Sequence, residues 1–225
     1  MKVRSFIMAV LILLFSSVSL ASNSTPKVVF NQKGWDKHKS AIINAARETN
    51  TNPVSLAAYA SIETTMGANM TNKRNRSVAG LFQFTDRTWR DQLKRNGRKY
   101  GLSMNTSKYN TRANALMAAE LARENREYLE KKLGRTVTMS EVYMAHMLGV
   151  YGAERILKAK NTSIAANVTA PSGNKSFFYS KGRPVTVGQF KANIRNYVEG
   201  HASVYRGSAI RYMAKTMIVS PKVTV

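Results

Sequence analysis

Among the side chains able to move a proton or bind a metal, the chain has twelve carboxylates, three histidines and no cysteine. The histidines His38, His146 and His201 are scattered, so the spacing of a structural zinc site is lacking, and neither a metal nor any other cofactor is expected. Carboxylates are therefore the place to look for chemistry. Glu120, Glu124, Glu127 and Glu130 recur beside Arg123, Arg126 and Lys131 in the pattern of a solvated, salt-bridged helix face. Asp86 stands where a helix needs a cap, and Glu141 follows Thr138 at the spacing of a capping box. Glu63 differs. Leu56, Ala60 and Glu63 fall at i, i+4 and i+7, which places a carboxyl group on an apolar helical stripe. It also lies in the last turn of its helix, where desolvation and the negative end of the helix dipole both disfavour the ionised form. A general acid needs that bias toward the neutral form. The competing reading is a helix-end glutamate turned outward to water.

The elements that would hold Glu63 read as helices. Helical patterning begins at Asp36, with Ala41, Ile42, Ala45 and Ala46 on one face, and residues 22–35 read as a polar linker. Asn52 and Pro53 open a second helix as N-cap and first helical residue, and Gly67 is expected to close it. Residues 69–79, with Lys73, Arg74 and Arg76, read as an exposed loop. A third helix is predicted from Thr85-Asp86 to a stop at Gly97, burying Trp89 and Leu93. The longest runs from about Thr111 to Leu133, with Met117, Leu121 and Tyr128 along one side and Gly134 as its stop signal. The Thr138 capping box opens Val142 to Leu148, and a further helix carries Ala153 to Ala159. After Lys160 the composition loosens, until Thr186 and Gln189 form a second capping box ahead of Phe190, Ile194, Tyr197 and Val198. No two strand-like runs face each other across a turn. The pattern gives a mainly α fold with little or no β-sheet: a main domain over residues 36–160 and a C-terminal extension over residues 161–225 with one amphipathic helix.

Ahead of these elements, Lys2 and Arg4, an apolar run from Phe6 to Phe15 and small residues at Ser19 and Ala21 match a secretory signal peptide over residues 1–21. The run falls short of the ~20 apolar residues a spanning helix needs. Export to the periplasm or cell envelope is expected, with no stable membrane insertion after cleavage. The net charge of +23, lowered by two when Lys2 and Arg4 leave with the leader, points to an anionic partner. Nucleic acid is one such polyanion, but the cations are spread along the chain and no zinc-finger or RNP sequence occurs, so no specific nucleic-acid partner is expected. Acidic envelope polymers would be attracted by the same long-range, salt-screened steering.

Three motifs occur in order. Ser61-Ile62-Glu63-Thr64 is followed by Ser77-Val78-Ala79-Gly80-Leu81-Phe82-Gln83-Phe84, and then by Ala145-His146-Met147-Leu148-Gly149. Together they resemble the soluble lytic transglycosylase family, whose signature pairs a helix-borne Glu-Ser with a Gly-Leu-Met-Gln loop and a later Ala-Tyr-Asn-Ala-Gly. Phe177-Phe178-Tyr179 and Gly182-Arg183-Pro184, within residues 174–187, resemble the tail of one branch of that family, so the likeness covers about residues 45 to 198. Thr64 replaces the usual Ser, Phe82 replaces Met, and His146-Met147 replaces Tyr-Asn.

The resemblance implies a lysozyme-like helical domain and a lyase reaction on peptidoglycan glycan strands. Glu63 would protonate the oxygen between MurNAc and GlcNAc and then take the proton of the MurNAc C6 hydroxyl, leaving a 1,6-anhydro sugar. Thr64, Ser77, Gly80, Phe82, Gln83, Phe84, Tyr143, His146 and Tyr151 would be the substrate-binding residues. Gly80 would let the backbone pass close to the sugar chain, and Phe82 and Phe84 would put one ring on a sugar and one in the core. Gln83 would offer a donor and an acceptor, and Tyr143, His146 and Tyr151 would line the far wall. A hydrolytic muramidase and a non-catalytic peptidoglycan-binding protein are the alternatives. Wall turnover, phage-related lysis, and hole-opening for a secretion, conjugation or flagellar assembly would all use this chemistry.

Overall fold

A computed structural model of the chain describes residues 28–72, 77–171 and 175–219. The signal-peptide reading, residues 22–27 of the linker, the cluster Lys73, Arg74 and Arg76, and residues 220–225 of the tail lie outside the described residues. The fold is mainly α. Its helices are α1 (Gln32–Glu48), α2 (Pro53–Thr64), α3 (Asp86–Asn96), α4 (Thr111–Leu133), α5 (Met139–Leu148), α6 (Val150–Lys158), the single turns α7 (Ala165–Val168) and α8 (Lys175–Phe178), and α9 (Val187–Val219). Two antiparallel hairpins with two-residue strands add β1 (Val78–Ala79) to β2 (Phe84–Thr85) and β3 (Tyr179–Ser180) to β4 (Arg183–Pro184). Strands this short carry no readable alternation, so the sequence gives no sign of them.

α2 is the central element. Asn52 accepts the amides of Val54 (2.8 Å) and Ser55 (3.2 Å) with Pro53 at the first helical position, as its sequence predicts. Every residue from Val54 to Thr64 is buried, because α9 covers one side while α1 and α4 pack against the others. The helix closes at Thr65, with φ of 53°, and Met66 and Gly67 continue in the left-handed region. Gly67 is therefore not the terminator. It is where the turn passes His38, whose Nε2 would lie 2.3 Å from a Cβ at that position.

Two boundaries differ from the sequence reading. The stretch read as a linker ends before Asn31, which caps α1 by accepting the Gly34 amide at 2.9 Å. The Asn31 side-chain amide also donates to the Thr65 carbonyl (2.8 Å), and its backbone N–H donates to the Tyr205 hydroxyl (3.0 Å). Gly34 and Trp35 are buried there, and Trp35 and Phe30 pack on the Tyr205 ring. The second boundary is at residue 160. α9 is not an appended extension: Phe190, Ile194, Val198, Ala202, Tyr205 and Ala209 are fully buried in the same apolar core as α2 and α4. Loose composition between Lys160 and Thr186 marks a connection inside one packed unit. Among the described residues no helix is long and apolar enough to cross a membrane.

Candidate active site

Glu63 lies one residue before the end of α2, and its side chain has no exposed surface. The Tyr143 hydroxyl on α5 donates to its Oε1 at 3.1 Å. His146, one turn later on α5, brings Nε2 to 3.3 Å from the same oxygen, with its ring stacked on Tyr143 at 5.7 Å and 27°. That approach is not aligned as a hydrogen bond, so His146 Nε2 is buried without a partner among the described residues, as is the other carboxyl oxygen, Glu63 Oε2. α5 is held at this distance by Tyr59, which donates to the Met139 carbonyl (2.6 Å) and packs its ring 5.3 Å from that of Tyr143. From the other side α9 contributes Tyr197 and His201, whose rings meet edge to face at 4.9 Å. His201 Nδ1 lies 2.8 Å from the Ser61 hydroxyl on α2.

Burial controls the charges around the carboxyl. Desolvation, reinforced by the charge of Glu63, pushes the Tyr143 and Tyr197 phenols above their ordinary range, so both stay neutral. Desolvation pulls His201 down from 6.5 to about 4, so it is uncharged at neutral pH. Glu120 shows the opposite solution. It is also fully buried, and burial opposes its charge, but hydrogen bonds from Lys99 (2.8 Å), Tyr100 and Arg123 (2.7 Å) outweigh that and hold its carboxyl below the usual range. Its assignment to a solvated face is thus corrected: Lys99 and Tyr100, in the single 3-10 turn after α3, close over it. Glu120 is clamped by fixed cations, whereas among the described residues no lysine or arginine pairs with Glu63.

The depressed His201 gives the first expected result. The unfolded chain takes up this proton near 6.5 and the folded chain only near about 4, so stability is complete above about pH 6.5 and falls as pH drops toward 4. At about 1.4 kcal/mol per unit of difference, the loss approaches roughly 3 kcal/mol. His38, also lowered by burial, adds to it with the same sign. Denaturant midpoints at neutral and acid pH should therefore separate less in His201→Gln than in the parent chain. Equal separation in both would exclude His201 as a source.

The structure brings Glu63, Tyr143 and His146 together and buries Thr64, Gly80, Phe82, Gln83 and Phe84 in the scaffold, while Ser77 and Tyr151 keep exposed surface. Thr64 is buried, its hydroxyl donating to the carbonyls of Ala60 (3.0 Å) and Leu81 (3.1 Å) and accepting the Gly67 amide (2.8 Å). It pins the end of α2 to the Gly80 loop instead of facing a sugar. Gly80, with φ of 86°, makes a close approach as expected, but to protein: a Cβ there would lie 2.4 Å from both Asn114 Nδ2 and the Lys108 carbonyl. Phe82 and Phe84 are both in the core, so neither ring is free for a sugar, and Asn114 Oδ1 accepts the Phe82 amide at 2.8 Å. Gln83 is buried too, its side-chain N–H donating to the Gly80 (2.9 Å) and Met70 (3.2 Å) carbonyls. The Ser77 carbonyl accepts from Lys108 at 2.6 Å. Tyr151 is 42% exposed on α6 and packs edge to face with Tyr128 at 5.6 Å. The side chains of this loop thus pack inward, and the Thr64–Leu81 hydrogen bond ties the loop to the end of α2.

Sequence reasoning missed Tyr59, Ser61, Tyr197 and His201 as neighbours of the site. Only the i, i+4 spacing of Tyr197 and His201 was available to find the last two, and it identifies no partner. A scan of the chain against protein-family models finds no match.

Proposed function

We propose that the chain is an exported peptidoglycan lytic transglycosylase with a lysozyme-like helical domain, acting on glycan strands of the cell envelope with Glu63 as its single acid and base. The observation that carries this reading is the setting of Glu63: a fully enclosed carboxyl, bonded on Oε1 by a neutral phenol, with Oε2 unpartnered and no ammonium or guanidinium against it among the described residues. Oε2, the oxygen without a partner among the described residues, is the one assigned the proton. In the proposed reaction it protonates the glycosidic oxygen between MurNAc and GlcNAc, and the C1–O bond breaks. The MurNAc C6 hydroxyl closes on C1, and its proton returns to Oε2. One proton leaves and one comes back, no water is consumed, and a second carboxylate is not needed. Hydrolytic glycosidases, by contrast, usually set two carboxylates ~5 to 10 Å apart.

One observation favours the non-catalytic alternative. Phe82, Gln83, Phe84 and Thr64, which the motif would give to the substrate, are all buried in the scaffold. A wall-binding protein would retain such a loop without using Glu63. Purified protein incubated with isolated sacculi distinguishes the readings by mass: soluble fragments ending in 1,6-anhydro-MurNAc are expected. Fragments heavier by one water indicate a muramidase, and sedimentation with sacculi but no release indicates a binding protein.

A further inference from the structure

α9 continues past the core that holds it. Ala209 is the last fully buried residue described on this helix, and beyond it Tyr212 and Met213 still pack on the core, with Lys39 of α1 5.5 Å from the Tyr212 ring. The stripe facing away from the core is different. Ser203, Gly207, Ile210, Ala214 and Met217 advance by four, three, four and three positions, so they share one face, and all five are exposed. Ile210 is 53% and Met217 59% exposed, two turns apart, and no element among the described residues covers the apolar strip they make.

Cations border the strip on both edges. At 3.6 residues per turn, Arg206 falls on one side of it and Arg211 and Lys215 on the other, and all three are exposed. Glu199 answers Arg206 at 3.1 Å, whereas Arg211 and Lys215 enter no ion pair among the described residues. Arg211 folds back along the strip, its Nη1 lying 3.1 Å from where a Cβ at Gly207 would stand. From Gly200 to Val225 the sequence carries Arg206, Arg211, Lys215 and Lys222 and neither aspartate nor glutamate. We infer that this end of α9 is a docking surface for an anionic lipid bilayer, with Ile210 and Met217 turned toward the acyl chains and the flanking cations on lipid phosphates.

Among polyanions, a bilayer answers both halves of this surface. A nucleic acid or an acidic wall polymer would take the cations and leave Ile210 and Met217 in water, and a second copy of the strip would set like charges against each other. An anionic membrane offers phosphates at the height of the arginine and lysine heads and hydrocarbon just below, and the long stems of Arg206, Arg211 and Lys215 reach from one layer to the other. The helix would lie along the interface, its apolar strip sunk ~5 to 10 Å, since no described helix is long and apolar enough to cross. Tyr197 and His201 stand farther up the same helix, so docking would hold the Glu63 site at a fixed distance from the bilayer. The inference does not depend on the transglycosylase reading.

Protein lacking residues 1–21 keeps every described element and removes an apolar leader that would itself bind lipid. It should sediment with vesicles of phosphatidylglycerol and phosphatidylcholine in equal parts, and at least about tenfold more weakly with phosphatidylcholine alone. Ile210→Ser combined with Met217→Ser alters exposed side chains and leaves every charge in place, and it should weaken binding to the anionic vesicles about tenfold. Unchanged binding would overturn the inference, because the basic surface as a whole would then account for the attraction. Arg211→Gln with Lys215→Gln should cost about tenfold as well. In Met217→Trp the new indole joins the buried Trp35 and Trp89, and its emission should move to the blue when anionic vesicles are added; an unmoved spectrum would place the strip in water and refute the docking. Retention of duplex DNA that falls in the double serine variant, or a dimer that this variant abolishes, would assign the strip to nucleic acid or to a second copy and overturn the inference too.

Discussion

Glu63→Gln should lower turnover on sacculi roughly 10²- to 10⁴-fold, equivalent to about 3 to 5 kcal/mol of barrier, while the protein remains folded. Glutamine fills the same volume, and its carbonyl can still accept the Tyr143 hydroxyl that now donates to Oε1. What it cannot do is release a proton to the glycosidic oxygen and collect another from C6. The effect should fall on the catalytic step, with binding to sacculi retained. Unfolding curves recorded beside the assay separate this from damage to the fold. Activity within a few-fold of the parent chain would remove Glu63 from the mechanism.

A chain ending at Thr186 should fail to fold, although its sequence reads as containing a complete domain over residues 36–160. The deletion strips Phe190, Ile194, Val198 and Tyr205 from a core in which each is fully buried. At ~1.5 to 3 kcal/mol for each large apolar side chain, these four represent about 6 to 12 kcal/mol, comparable to the ~5 to 15 kcal/mol that holds a domain together. The deletion would also uncover the α9-facing side of α2, which includes Ser61, and leave the Asn31 amide without the Tyr205 hydroxyl. Loss of near-UV ellipticity and of a cooperative denaturant transition is the expected outcome. A cooperative transition in the shortened chain would restore the separate extension.

What the sequence disclosed about this fold is mostly local. The Asn52-Pro53 start, the Thr138–Glu141 capping box and the Gly134 stop each depend on residues within one turn, and each occurs where the spacing puts it. The apolar setting of Glu63 was legible for the same reason, because Leu56, Ala60 and Glu63 share a face whatever packs on it. Contacts made across the chain were not legible. Nothing near Glu120 in sequence shows that Lys99 and Tyr100 will cover it, so its spacing beside Arg123 read as a solvated face. Tyr205 on Asn31 and His201 on Ser61 join residues 174 and 140 positions apart, beyond any periodicity argument. The Gly80 loop was ambiguous for another reason. Gly, Gln and two aromatics suit a sugar, but they equally suit a tight turn locked by Asn114 and by its own amide, and only packing decides between the two.

The central claim is that one enclosed carboxyl group both gives and recovers the proton while the sugar closes on itself, and solvent oxygen reports on it most directly. Sacculi digested in ¹⁸O-enriched water should yield 1,6-anhydro ends free of ¹⁸O, and Glu63→Gln should yield almost none. New reducing MurNAc ends carrying ¹⁸O would contradict the account, because water and not the C6 hydroxyl would then have attacked.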